Sequence, residues 1–185
     1  MTKKYTEAEL RQASDHLFYE IWMANKLAEI LEKSPGGAFT VRPVAHTDSM
    51  QTARFLRSTG VTKSSETNPE EEEFRVINNA LIESFAIHVR ALIDFFYTPE
   101  KEDDVVAVHF FSTQTEWTKA RPRKTEEELK RIKNRVNKEV AHLTYARQTV
   151  KTKEWPFKEL LTDMNKVVDV FVAQVPKDLL GSRWK

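Results

Sequence analysis

Apolar residues recurring at steps of three and four dominate this chain, and over stretches of about 25 residues such spacing suits long amphipathic helices. Leu10, Ala13, Leu17, Ile21, Ala24, Ala28 and Leu31 form the first stripe, broadened by Phe18 and Trp22. Thr6, with Glu9 three residues on, has the form of a capping box, and Ser34-Pro-Gly-Gly37 stops the helix near Lys33. A second stripe, Phe74, Ile77, Leu81, Phe85, Leu92 and Phe96, opens at Pro69 and the acidic run Glu70 to Glu73. Negative charge suits a helix N-terminus, and this helix is expected to last to Tyr97. A third begins at a capping box, Thr125 to Glu128, and turns Leu129, Ile132, Val136, Val140 and Leu143 inward to about Val150. A fourth has Pro156 in its first turn and Leu160, Met164, Val167, Phe171 and Val175 on its inner face, ending near Gln174.

No alternating run of strand type accompanies these stripes, and the chain holds only 4 glycines. The expected fold is therefore all-α, an up-and-down bundle of four main helices in a single domain spanning residues 1 to 185. An irregular insert at about 38–68 packs outside it, with a short helix from Thr47 or Asp48 to Phe55 or Leu56. Between the second and third helices, Asp103 or Asp104 caps a short segment through Phe111, and Trp117 and Pro122 mark a loop. The tail through Trp184 has no assignment.

With no cysteine, the chain cannot form disulfides, thiolate metal sites or a cysteine nucleophile, and a reducing cytoplasm is its expected home. The first residues place no apolar stretch behind their lysines and no run reads as a membrane span, so neither a leader nor a membrane partner is expected. Net charge is only +1, but it is unevenly spread. Residues 66 to 104 hold eleven acidic side chains against three basic, and residues 119 to 138 hold nine basic against three acidic. A local basic block gathers polyanions even on a nearly neutral protein, although a solvated helix face has the same composition.

Within that block, Arg135 and His142 stand seven residues apart on the third helix. Seven residues nearly complete two turns, so both project from one face, about 10 Å apart along the axis. A guanidinium holds phosphate oxygens in a fork, and an imidazole moves a proton near neutral pH, so the pair suits chemistry on a phosphodiester. It equally suits an ordinary polar face. By the same count Lys124, Arg131, Lys138 and Tyr145 share the face opposite the apolar stripe, pointing away from the core. Lys124, Arg131 and Lys138 are the candidate nucleic-acid contacts. On the second helix Asn79, Glu83, Arg90 and Asp94 share an azimuth, forming either an ion-pair ladder or a shell that orients Arg135 and His142 from next door.

Other chemistries find little support. Glu139-Val-Ala-His142 has the Glu-x-x-His spacing of di-metal bundles, but no second copy exists. No two histidines stand four apart, so no metal and no cofactor is expected. His88, on the flank of an apolar stripe, reads as a partly buried core histidine. Phosphate-cradling glycine loops and nucleophile elbows are missing. Metal-free cleavage of RNA needs a base for the ribose 2′-hydroxyl, an acid for the leaving oxygen and positive charge on the phosphate. One Arg and one His supply part of that set, and a two-fold axis beside this face would double it, with Asn137 and Ala141 small enough to admit a partner helix.

An Arg-x6-His motif on a late helix of an all-helical bundle, with the run from Asn137 to Arg147 and the stretch from Leu81 to Phe96, resembles the HEPN superfamily over roughly residues 74 to 150. The resemblance implies a HEPN-like bundle acting as a metal-independent endoribonuclease through a homodimer, with Arg135 and His142 catalytic in a composite site. Asn137, Glu83, Arg90 and Tyr145 are then supporting residues. RNA, a second copy of the chain, and an antitoxin or another protein are the partners it implies. Because many members of the family lack activity, the alternative is a non-catalytic interaction or RNA-binding module.

Overall fold

The computed structural model describes residues 5–33, 69–101, 104–141 and 155–185, among which there are five α-helices and no strand. They are α1 (Glu7–Lys33), α2 (Pro69–Tyr97), α3 (Gln114–Ala120), α4 (Arg123–Val136) and α5 (Phe157–Gln174). Short 3-10 turns lie at Ala107–Phe110, Lys177–Leu179 and Ser182–Trp184. The expected insert at 38–68 lies outside the described residues.

α1 starts where its capping box dictates. The Thr6 backbone N–H donates to Glu9 Oε2 at 2.8 Å, and the Glu9 N–H donates back to Thr6 Oγ1 at 3.2 Å. Both are helix-end donors that would otherwise lack a partner. Leu10, Leu17, Ala24, Leu27, Ala28 and Leu31 are buried, while Trp22, expected beside them, is 48% exposed. α2 runs antiparallel to α1, with Glu20 Oε2 2.6 Å from His88 Nδ1 midway along the pair. That contact accounts for His88 as a partly buried histidine with a partner.

The core is aromatic at its centre. Phe171 of α5 lies with its ring 5.6 Å from Phe96 of α2, 5.4 Å from Phe110 and 5.6 Å from Trp117. A second contact, Phe85 to Phe157 at 4.9 Å, ties α2 to the start of α5. Leu160, Met164, Val167, Phe171 and Val175 are buried as the periodicity of α5 predicts. In α2, buried apolar side chains begin at Ile82; Phe74 and Ile77, expected in the core, are 48% and 60% exposed. From Val76 to Tyr97 this helix is long and apolar enough to cross a membrane by length and composition, contrary to the expectation that no run qualifies.

The connection between α2 and α4 is more ordered than its sequence suggests. Trp117 sits in a helix rather than a loop and is wholly buried, its indole N–H donating to the Phe96 carbonyl at 2.8 Å. A carbonyl near the end of α2, which has no acceptor role inside its own helix, thereby gains a partner. The preceding short turn starts at Ala107 after Val106, not at an aspartate cap. α4 begins at Arg123 with Pro122 before it, so Thr125 is an internal, buried residue and not the expected cap.

The unassigned tail closes over α1. The Gly181 N–H donates to Ser14 Oγ at 2.7 Å, the Arg183 N–H to Asp15 Oδ1 at 3.0 Å and the Trp184 indole to the Ser14 carbonyl at 2.9 Å. The Trp184 ring meets Phe18 edge-on at 5.4 Å.

Candidate nucleic-acid interface

α4 is anchored by one side, and that anchoring decides which cations face water. Leu129 and Val136 are buried, with Ile132 and Val140 packed against the core. Lys133 reaches α2, where its ammonium meets Asp94 and donates to Thr98 Oγ1 at 2.9 Å. Asp94 also accepts from Thr98 Oγ1 at 2.8 Å and lies 3.7 Å from Arg90 Nε. The expected ladder on α2 therefore ends in a hub that grips Lys133. At the other end of α4, Glu126 holds both Arg121, at 3.1 Å, and Lys130, at 2.6 Å. Much of the basic block is thus neutralised within the chain.

Lys124, Arg131 and Lys138 lie away from these two anchoring groups. All three are exposed; Lys124 and Arg131, seven residues apart, lie on the side of α4 opposite Lys133, and Lys138 follows in the turn after α4. Lys124 and Arg131 thus stand about 10 Å apart along the helix, turned away from the Lys133 contact with α2, and Lys138 continues this ridge of cations beyond the helix end. Long, exposed ammonium and guanidinium groups at such spacing match a phosphate backbone, whose charges repeat at several ångströms along a strand.

Arg135 departs from the expectation that it points away from the core. It is half-buried, and its guanidinium carbon lies 4.4 Å from the centre of the Trp155 ring. Trp155 itself is 5% exposed, just before α5. Periodicity could not reveal this contact, because Trp155 is remote in sequence and its position depends on how the chain returns to α5. A guanidinium stacked on an indole is fixed in orientation while its N–H groups remain in the plane that forks a phosphate.

Immediately after Arg135 the helix widens. Residues Asn137–Ala141 form a π turn, and the Asn137 N–H bonds to the carbonyls of both Asn134 and Lys133. A π turn holds more residues per turn than an α-helix. His142 and Tyr145 lie outside the described residues. Among those described, the Asn137 Oδ1 and Trp155 Nε1 atoms are buried with no hydrogen-bond partner. Buried polar atoms in that condition are uncommon, and π turns recur at functional sites. Glu83 and Arg90, the other supporting candidates, lie half-exposed on α2. The aromatic partner Trp155 is the residue that sequence reasoning missed.

Compared with protein-family models, with curated proteins and with solved structures, the chain finds no match in any of the three.

Proposed function

We propose that this chain is an RNA-binding helical protein of HEPN-like type that holds the phosphate backbone along α4. The observation that carries this reading is the exposure of Lys124, Arg131 and Lys138 along and just beyond α4. Arg135 adds an oriented guanidinium at one side of the ridge. In the proposed complex the ridge supplies affinity without base readout, as phosphate contacts do. The test is binding of a labelled single-stranded RNA at low salt. Replacing Lys124, Arg131 and Lys138 together by Gln is expected to weaken it at least tenfold; unchanged affinity ends the proposal.

A second reading, cleavage, is favoured by the indole-stacked Arg135 and the π turn that follows it. On this reading Arg135 holds the scissile phosphate, His142 takes the proton from the ribose 2′-hydroxyl, and a homodimer supplies the second Arg and His of a composite, metal-independent site. Incubation with RNA in EDTA tests it. Wild-type protein should cut and His142→Ala should bind without cutting. RNA left intact by wild-type protein discards the nuclease and leaves the binding reading standing.

A further inference from the structure

Most aromatic rings of this protein are spent on its core, but two on α1 are turned outward. Tyr19 is 40% and Trp22 48% exposed. At 100° per residue they share one crest of the helix with Lys26 and Lys33, an arc of about 60° opposite the buried Leu17, Ala24 and Ala28. Packing therefore does not account for these rings. Their centroids lie 6.3 Å apart and their planes are tilted by 32°, closer to parallel than to perpendicular. Tyr19 is steadied by the edge of His88 at 5.9 Å, and His88 in turn by Glu20 Oε2 at 2.6 Å. Stacked bases repeat at about 3.4 Å, so one base inserted between two rings sets those rings about 7 Å apart. The spacing of Tyr19 and Trp22 is near that figure, and exposed side chains rotate freely enough to close the difference.

We propose that Tyr19 and Trp22 form a slot that sandwiches an unpaired base of a single-stranded RNA. Charge along the crest favours this occupant. Lys26 and Lys33 both bond to the one carboxylate of Glu29, at 2.9 Å and 2.6 Å, so two ammoniums stand against one carboxylate just beyond the rings. Such a field suits a polyanion, whereas a lipid tail or an apolar protein surface laid on the rings would take the lysines out of water beside them. The platform rests on the RNA-binding reading and deepens it. Contacts of the α4 ridge with phosphate do not distinguish a paired strand from a free one, but a slot for a base accepts only bases that are not paired. Every base has a π face, so the pair recognises single-strandedness and not sequence. α2 packs against both α1 and α4, which makes the slot a contact separate from the ridge.

The test is fluorescence anisotropy of labelled RNA with the full chain, comparing a single strand with a fully paired duplex of the same length. Combining Tyr19→Ala with Trp22→Ala is expected to weaken single-strand binding at least tenfold while helical circular dichroism and duplex binding stay as in wild type. The salt slope should also stay, because a stacked base releases no counterion. Trp22→Phe keeps a ring, so it should retain most of the affinity and lose the quenching of tryptophan emission that RNA causes in wild type. A double variant that binds the single strand as wild type does overturns the slot, and leaves the ridge standing where the Lys124, Arg131 and Lys138 variant is weak. The reverse pattern, a weak double variant beside an unaffected ridge variant, overturns the ridge and supports the slot. Quenching by adenosine monophosphate as strong as by RNA makes this a mononucleotide site and overturns the proposal. So does a double variant that binds RNA normally but no longer sediments with phosphatidylcholine vesicles, which assigns the rings to lipid.

Discussion

The guanidinium of Arg135 lies 4.4 Å over the ring of Trp155, so the cation singled out by its spacing to His142 is held by an aromatic side chain from another part of the chain. The contact has two consequences that separate experimentally. As packing, it contributes to stability; as orientation, it presents the N–H edge of Arg135. A double-mutant cycle of Arg135→Ala and Trp155→Leu, read by denaturant unfolding, should give a coupling of about 0.5–2 kcal/mol. Strict additivity would mean that the stacking has no energetic weight. Arg135→Lys, which keeps the charge and loses the planar fork, should weaken RNA binding if the edge is used and leave it unchanged if Arg135 is only packing.

Tyr97 gives the fold an alkaline limit. Its hydroxyl donates to the Pro122 carbonyl at 3.1 Å, and burial pushes the phenol up to about 12, aided by the negative charge of Glu126 and opposed by Arg121. The unfolded phenol ionises near 10, so between pH 10 and 12 the folded state keeps a proton that the unfolded state has lost. Stability from this group is full below pH 10 and falls as pH rises toward 12, by about 2–3 kcal/mol in all. Tyrosinate absorbance should show one of the 4 tyrosines titrating late, and Tyr97→Phe should remove that step. Four tyrosines titrating together near pH 10 in folded protein would contradict this.

Gly181 is required by the closure of the tail. A Cβ there would lie 2.2 Å from Asp15 Oδ1, an oxygen already bonded to the Arg183 N–H at 3.0 Å. Gly181→Ala should therefore displace the Asp15 carboxylate and loosen the Ser182–Trp184 turn, at a cost of about 1–3 kcal/mol. Thermal unfolding measures the loss, and a Tm equal to that of wild type would show that Asp15 swings aside freely.

Local signals in the chain were faithful guides where one element explains itself. The Thr6–Glu9 box starts α1, and the stripe from Leu160 to Val175 faces the core throughout. Reading fails where a residue's environment comes from elsewhere. Trp117 looks like loop punctuation because α3 is only seven residues long with a single large apolar side chain, yet the end of α2 recruits its indole. Thr125 has the form of a cap, but Pro122 places the helix start ahead of it. Lys124 and Arg131 were legible because exposure follows azimuth on a regular helix. The surroundings of Arg135 were not, since a 3.6-residue count carries no information about Trp155.

The central claim is that the ridge on α4 binds the phosphate backbone, and salt tests it most directly. Binding of a single-stranded RNA should weaken linearly in a log–log plot against salt, with a slope of roughly −2 to −3 for three or four phosphate contacts. Replacing Lys124, Arg131 and Lys138 by Gln should reduce that slope to about −1 or less. A triple variant whose affinity and slope both match wild type would contradict the account.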